Sequence, residues 1–345
     1  MEILQISRAV KTSCTSHREA HECQALLAGT LLFLFVFSFL LACDRAREPE
    51  RLFAAAAEAE RAGQLRVAAE LYHRAAELRP QDFDAQYRAA LLDVRVGHFT
   101  AAEALLRKII ALRPDFAPAY LNLGVALLQQ GKKAEGRKEF VEALRLDPRF
   151  TKAYYNLGVV EVADGRLAEA EKLFKNVISI DPTHQPSYVR LGNLYVRQRQ
   201  FAAALFILKQ ALALKPQDAQ VFFNLGLAYA GIEKNEQSLT AFQQAIELNP
   251  IYTKAYYNLG TLRIKLKRYH DALQPLHEAI RLNPRWSDAL YNLAVAYAHV
   301  GEEGTARQWL KQALRLNPSL APEAQRDEDF KGLFLDPGFF AGLHR

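Results

Sequence analysis

The sequence is organised by prolines that recur every 34 residues. They are Pro80, Pro114, Pro148, Pro182, Pro216, Pro250, Pro284 and Pro318. Each ends a similar apolar phrase, from AELRP at the first to LRLNP at the last. A fixed period of this size is typical of a repeat solenoid, in which each repeat packs only on its neighbours. The chain is therefore expected to extend repeat by repeat, without dividing into independent globular domains.

Other positions keep the same period when proline is placed at position 32 of each repeat. Position 8 is Ala or Gly, position 20 is Ala, Gly or Ser, and position 24 is Tyr, Leu or Phe. Small residues let two helices approach closely, and a large residue fills the space beside them. Five repeats have Gly at position 15, which suits a turn between the helices. Repeats five to seven have Arg199, Glu233 and Lys267 there, so their turns are expected to differ slightly.

This pattern resembles the tetratricopeptide repeat. The resemblance covers eight repeats within residues 49–320: 49–82, 83–116, 117–150, 151–184, 185–218, 219–252, 253–286 and 287–320. It implies an all-α fold, a right-handed superhelical solenoid of antiparallel helix pairs, whose first helices line a concave groove for extended peptides. Residues 321–345 leave the period and are rich in Phe and Leu. They are expected to cap the last repeat, with a partner-binding tail as the alternative.

The N-terminal residues 1–43 contain an apolar run, Ala25–Cys43, of 19 residues without a charge. It is long enough to cross a bilayer as a helix. It is also compatible with a signal peptide that ends at Cys43. Residues 44–48 would then be a short linker to the repeats.

The last four residues of that run favour the signal peptide. Leu40-Leu41-Ala42-Cys43 resembles the bacterial lipoprotein box, in which the cysteine becomes lipidated after cleavage. Cys43 is therefore the candidate lipidation site, and a single-pass membrane anchor remains the alternative. Both interpretations predict membrane association through the N-terminus. The lipoprotein interpretation places the repeats outside the bacterial cytoplasm, whereas the single-pass anchor leaves the topology open.

Asparagine recurs at position 6, where the family resemblance implies that side chains face the groove. The residues are Asn122, Asn156, Asn224, Asn258 and Asn292. Asn is a mediocre helix former, so helix propensity does not explain the line. Its amide offers both a donor and an acceptor to the backbone of an extended peptide. The alternative is that Asn belongs to the repeat consensus and bonds its neighbours.

Aromatic and basic residues are expected on the same face. The aromatic ones, at position 5, are Tyr155, Phe223, Tyr257 and Tyr291, and the basic ones include Lys152, Arg190 and Lys254. Such a groove favours an acidic segment or a free C-terminal carboxylate. The carboxylate clamp of chaperone-binding members is matched only by Asn193, Asn224 and Lys254. Val189 and Asn258 stand where that clamp has Lys and Arg.

No catalytic, cofactor or metal motif is apparent. The repeats contain no Cys, the nine His show no metal-binding spacing, and the Gly residues follow the packing period. A net charge of +6 without clustered Lys and Arg does not indicate nucleic-acid binding. The sequence thus predicts a non-enzymatic, membrane-tethered scaffold that binds protein segments and assists assembly of an envelope complex. The alternative is a substrate-recognition or adaptor subunit for a transferase or peptidase on a separate chain.

Overall fold

The computed structural model describes residues 47–331 and residue 339. Regular secondary structure within these residues is entirely helical, which confirms the all-α class. The apolar run Ala25–Cys43 and residues 44–46, and with them the predicted lipidation site, lie outside the described residues. Among the helices of residues 47–331, none combines the length and apolar character needed to cross a bilayer.

The described residues form a succession of short α-helices, numbered here in chain order. The first, α1, includes residues 47–61. The others are α2 Leu65–Leu78, α3 Phe83–Val96, α4 Phe99–Leu112, α5 Ala117–Gln129, α6 Lys133–Leu146, α7 Thr151–Ala163, α8 Leu167–Ile180, α9 Gln185–Arg197, α10 Phe201–Leu214, α11 Ala219–Gly231, α12 Asn235–Leu248, α13 Thr253–Lys265, α14 Tyr269–Leu282, α15 Ser287–Val300, α16 Glu303–Leu316 and α17 Ala321–Arg326. From α1 to α16, odd-numbered helices are the first of a pair (A helices) and even-numbered helices the second (B helices). These pairs confirm the predicted helical repeats.

The small residues at positions 8 and 20 lie where the two helices of a pair meet. A Cβ atom added to Gly226 in α11 would come within 2.5 Å of the Phe242 ring in α12, and one added to Gly124 within 2.6 Å of the Phe140 ring. The hydroxyl of Ser238, at position 20, donates to the Gly226 carbonyl over 2.7 Å. In these two pairs the helices approach so closely that only glycine fits at position 8, and the large residue at position 24 fills the remaining space.

The proline turns between repeats use their free carbonyls. Proline cannot continue a helix, so the B helix ends before it. The Pro114 and Pro182 carbonyls each accept a hydrogen bond of 3.0 Å, from Tyr120 and Tyr188 respectively. These tyrosines stand at position 4 of the next A helix, so each turn is tied to the start of the following repeat.

The turn between A and B helices is left-handed whether or not its residue is glycine. Arg199, Glu233 and Lys267 have φ of 59°, 60° and 58°, compared with 76–90° for the five glycines at this position. In the Arg199 turn, the amide of Gln200 donates to the Tyr195 carbonyl over 2.8 Å, the bond also seen in the glycine turns. The expected difference is therefore confined to a smaller φ, because the packed helices on both sides fix the turn. A non-glycine residue in this conformation carries a steric cost of about 1–2 kcal/mol.

The chain divides into two compact units. The described residues up to Ala153 form the N-terminal unit, and those from Tyr154 onward form the C-terminal unit. The described N-terminal unit has cores around Tyr72 and Leu106. The C-terminal unit has cores around Leu208, Phe242 and Leu310. Each unit thus has apolar cores of its own.

The segment after the last repeat packs against α15. The Phe330 side chain is fully buried and meets the Tyr291 ring edge-on, with centroids 5.3 Å apart. The Tyr291 hydroxyl donates to Asp327 over 2.5 Å, and His299 lies 2.6 Å from the Asp329 carboxylate. Burial, followed by the Asp327 carboxylate, raises the pKa of Tyr291, which keeps the hydroxyl protonated as a donor. These contacts cover the end of the last helix pair in the described residues.

Candidate peptide-binding face

The asparagine at position 6 of the N-terminal unit is engaged with its own surroundings. The Asn122 amide group donates to the Tyr87 hydroxyl over 3.1 Å and to the Pro118 carbonyl over 2.9 Å. Both of its N–H groups are therefore occupied. The side-chain oxygen of Asn122 is still available, so this residue can accept a hydrogen bond from a ligand more readily than it can donate one.

Two asparagines of the C-terminal unit follow the same pattern. Asn258 donates to the Lys254 carbonyl over 2.8 Å, and Asn292 donates to the Thr261 hydroxyl over 2.9 Å. Asn156 is likewise half-buried at its position. Asn258 and Asn292 each donate one of their two N–H groups to another part of the protein. These asparagines are therefore partly structural, and their side-chain oxygens remain available as acceptors.

Asn224 differs because it is buried. Only 1% of its surface is exposed, and its oxygen accepts a 3.1 Å hydrogen bond from Asn193. Its amide nitrogen is buried without a hydrogen-bond partner in the described residues. A buried donor left without a partner costs about 1–3 kcal/mol. Asn193, which is half-buried above it, is the member of this pair that faces outward.

The position 5 aromatics pack within the stack of repeats. Phe223 and Tyr291 are each only 8% exposed. Each ring contacts an aromatic residue that precedes the next A helix or, for Tyr291, Phe330. The pairs and centroid distances are Tyr155 with His184 (5.2 Å), Phe223 with Tyr252 (5.0 Å), Tyr257 with Trp286 (4.3 Å) and Tyr291 with Phe330 (5.3 Å). These rings therefore pack mainly between successive repeats, because aromatic pairs stabilise the fold by more than the burial of their surface alone.

The residue just before each A helix was missed by sequence reasoning. In the N-terminal unit, Phe116 holds the place of Tyr252 and Trp286 and lies 5.0 Å from Tyr87. The signal was available, because His184, Tyr252 and Trp286 recur at the 34-residue period. This period identifies the partners of Tyr155, Phe223 and Tyr257.

Basic residues on the A helices differ between the two units. In the N-terminal unit, Arg88 and Arg95 lie 3.5 and 3.1 Å from the Glu60 carboxylate. In the C-terminal unit, the exposed Arg190 contacts the Tyr155 hydroxyl over 3.3 Å. Lys254 is exposed as well, and neither Arg190 nor Lys254 has an ion pair with another described residue.

Three further basic residues on A helices are exposed without a described carboxylate partner. They are Lys152 in the N-terminal unit, and Arg197 and Lys265 in the C-terminal unit. The exposed surface of α9, α11, α13 and α15 at positions 2, 6, 9 and 13 is called the A-helix face below. Within the C-terminal unit it brings amide groups and uncompensated positive charge to one surface.

The structure provides little support for a carboxylate clamp or a metal centre. Val189, where a clamp has lysine, is buried at 6% exposure. No cluster of three or more His, Cys, Asp or Glu suited to a metal ion occurs in the described ranges. His277 instead bonds the Tyr297 hydroxyl over 2.8 Å, and burial lowers its pKa. The A-helix face is therefore suited to binding, through hydrogen bonds and charge.

Paired helices with a 34-residue period and shared packing positions define a class of helical-repeat binding proteins. Two family models identify the class further. The model described as the cilia and flagella-associated protein 70 C-terminal domain matches residues 149–325, and the one described as tetratricopeptide repeat matches residues 87–148. The first alone covers just over half of the chain, so this chain belongs to the tetratricopeptide repeat family represented by that domain.

Solved structures show the same fold. The Cut9–Hcn1 hetero-tetramer structure of the APC/C aligns with a TM-score of 0.57 and 19% identity, over 79% of this chain and 54% of that one. A tetratricopeptide repeat protein from Parabacteroides merdae gives 0.56 and 16%, over 70% and 97%. The pilF protein of Pseudomonas aeruginosa gives 0.53 and 23%, over 59% and 92%. A search of curated protein sequences found no match. The family indicates protein or peptide partners and an interaction scaffold.

Proposed function

We propose that this chain is a membrane-tethered scaffold whose A-helix face binds extended, acidic segments of partner proteins during assembly of a bacterial envelope complex. The observation that carries the binding proposal is the exposed, uncompensated charge of Arg190 and Lys254. Many cations on the B helices have carboxylate partners nearby, for example Lys175 with Glu171 at 2.7 Å and Arg281 with Glu278 at 2.8 Å. Positive charge on the A-helix face is thus left for an external partner.

The amide groups of the same face support binding to a peptide backbone. Asn193 faces outward, and Asn258 and Asn292 retain acceptor oxygens after bonding the protein. Amide acceptors bind backbone N–H groups whatever the side chain, and the cations select for acidic residues. A free C-terminal carboxylate is an alternative source of the negative charge.

The binding proposal is tested by removing the two cations. Full-length chains carrying Arg190→Ala with Lys254→Ala are compared with a matched control, Lys215→Ala with Arg285→Ala, which removes two exposed charges from turns. Proteins recovered with each from solubilised membranes are quantified by mass spectrometry. We expect specific partners to be lost from the first variant and kept by the control. Equal recovery with both variants would refute the proposal.

Membrane tethering is proposed from the uncharged run Ala25–Cys43 and its ending Leu40-Leu41-Ala42-Cys43. In this proposal Cys43 carries the lipid, and the repeats lie outside the cytoplasm. Cys43→Ala is expected to abolish metabolic labelling with a fatty acid and to cause misprocessing. The single-pass anchor would be indicated instead if the wild-type chain is not labelled and if both it and Cys43→Ala stay in the membrane fraction.

A further inference from the structure

A cavity of about 410 Å³ lies among the helices α10, α11 and α12 of the C-terminal unit. Phe222, Leu225 and Tyr229 of α11 line it, together with Leu212 of α10 and Ala241 of α12. It involves the B helices of two successive repeats, and none of its lining residues belongs to the A-helix face described above. Its volume lies within the range of about 300–1,000 Å³ found for ligand-binding pockets.

One small apolar residue lines the cavity on the α12 side. Ala241 stands at position 23, where the preceding B helices α8 and α10 have Leu173 and Ile207, and α16 has Trp309. Each of these side chains is larger than alanine by several heavy atoms. A methyl group at position 23 therefore leaves space between neighbouring B helices that a larger side chain would occupy.

The outer surface of α10, beside the cavity, is unusually apolar. Its sequence, FAAALFILKQALAL, has Lys209 as its one charged residue. Phe206 is 64% exposed and lies one helical turn before Lys209, which itself lines the cavity. The equivalent residue in α8 is Lys172. An exposed aromatic ring one helical turn from a residue that lines the cavity is expected of an interaction surface.

The charge at the cavity is positive. Lys209 is exposed and has no ion pair with a described residue. Glu236, the acid that lines the cavity, is paired with Arg268 at 2.5 Å. An acidic group on a partner would thus meet an uncompensated ammonium group.

We infer that this groove is a docking site for an amphipathic helix of a partner protein. A Leu or Phe side chain of that helix fills the cavity, a neighbouring apolar side chain covers Phe206, and a carboxylate pairs with Lys209. A groove between helices with apolar anchors is the arrangement that binds such helices elsewhere. A flat lipid surface fits less well, because the cavity is recessed and Gln237, Thr240 and Gln244 line it as neutral polar groups.

Three labelled helical peptides of about four turns test the inference. The first has Leu and Phe four residues apart beside two Glu, the second has Lys in place of Glu, and the third has Ser in place of Leu and Phe. Binding to the full-length chain in lipid nanodiscs is measured by fluorescence anisotropy. We expect the first peptide to bind at least about tenfold more tightly than the others, which is a difference of about 1.4 kcal/mol. Equal affinity for all three would overturn the inference.

Variants then locate the site. Ala241→Leu introduces the residue that α8 already has, and should weaken the first peptide about tenfold or more by filling the cavity. Lys209→Glu changes an exposed residue and should reverse the preference, so that the second peptide binds more tightly than the first. Lys215→Ala with Arg285→Ala, which removes two exposed charges from turns, is the matched control and should leave both affinities unchanged. If Ala241→Leu and Lys209→Glu leave binding of the first peptide unchanged while Arg190→Ala with Lys254→Ala abolishes it, the peptide binds the A-helix face and the groove is rejected.

Two results would contradict the proposed partner directly. One is wild-type affinity in Ala241→Leu, after circular dichroism has shown that it folds. The other is a wild-type chain that binds none of the three peptides but binds phosphatidylglycerol vesicles, with this binding lost when Phe206 is replaced by Ala. That result would make this surface a membrane contact. Should Ala241→Leu fail to fold, the charge reversal in Lys209→Glu decides, because that exposed residue does not support the core.

Discussion

Two cavities in equivalent places, one in each unit, differ in their chemistry. The N-terminal cavity, about 500 Å³, lies among α4, α5 and α6, and the C-terminal cavity, about 410 Å³, among α10, α11 and α12. Charged residues line the first: Arg107, Lys138, Glu139 and Glu142. The second is lined by five apolar or aromatic residues, three neutral polar ones and two charged ones, Lys209 and Glu236. The repeat determines where such a cavity lies, and a few side chains determine what it binds.

The chemical difference between the two cavities arises from different residues at the same repeat positions. Glu139 and Ala241 both stand at position 23, and Tyr120 and Phe222 both stand at position 4. The Tyr120 hydroxyl donates to the Pro114 carbonyl, a bond that Phe222 has no hydroxyl to make. Both exchanges replace polar groups with apolar ones in the C-terminal unit. Water and ions suit the first cavity, whereas an apolar side chain suits the second.

The largest loss of stability is expected at a feature that the two regions share, the glycine at position 8 of α5 and of α11. Gly124→Val and Gly226→Val should each destabilise the chain by about 1–3 kcal/mol, because the new side chain collides with Phe140 or Phe242. Thermal unfolding followed by circular dichroism measures the loss. The control is Gly304→Ala in α16, where an added Cβ meets nothing within 4 Å. An unchanged melting temperature in either valine variant would show that the helix pair is looser than its geometry indicates.

Three non-glycine turns of the C-terminal unit should allow a stabilisation that the glycine turns of the N-terminal unit do not. Replacing Arg199, Glu233 and Lys267 by Gly relieves three left-handed side chains, each at a cost of about 1–2 kcal/mol. The greater freedom of glycine in the unfolded chain offsets about 0.4–1 kcal/mol of each gain. A net rise in the free energy of unfolding, measured with urea, is expected for the triple variant. Gly131→Ala, with φ of 80°, should instead lower it. No gain in the triple variant would mean that these side chains make contacts worth as much as the strain.

Two glutamates of the N-terminal unit, Glu103 and Glu139, have pKa values shifted in opposite directions. The Lys132 ammonium, 2.8 Å away, is the main cause that lowers the pKa of Glu103 to about 2. A lowered pKa stabilises the fold above the unfolded value near 4.5, and this stability is lost as pH falls towards 2. Glu103→Gln should therefore cost about 1 kcal/mol or less at pH 7 and nothing near pH 2. A loss that is the same at both pH values would assign the effect to packing.

The smallest effect is expected at Glu139, inside the N-terminal cavity. Burial raises the pKa of this carboxyl, and the nearby Arg107 opposes the shift. A raised pKa means that the charged form destabilises the folded state at neutral pH, and that this penalty disappears as pH falls below the unfolded value. Glu139→Gln should raise the melting temperature slightly at pH 7 and leave it unchanged near pH 3. A lower melting temperature at pH 7 would show that the pairing with Arg107 outweighs burial.

Much of the fold follows from the sequence because a repeated position reports the same physical demand many times. The glycines and alanines at positions 8 and 20 predicted close helix pairs, and the prolines predicted where B helices end. The left-handed Arg199 turn could not be derived, since helix packing on both sides overrides the preference of one residue. Neither could the burial of Asn224 under Asn193, because periodicity tells which face a residue occupies and not how deeply it lies. The apolar character of the C-terminal cavity depends on Ala241 and Phe222, and the sequence period alone does not show that these two side chains line one cavity.

The closing segment bears on how copies of this chain meet one another. A stack of identical helix pairs presents at its end the surface on which a further pair would add, so an open end favours filaments of head-to-tail copies. Phe330 lies on Tyr291 as the ring before a ninth repeat would, and the Asp327 carboxylate accepts a hydrogen bond from the Tyr291 hydroxyl. Within the described residues, the closing segment thus occupies the surface of α15 on which a further helix pair would pack. A second copy could pack its first helices there only by displacing Phe330 and Asp327.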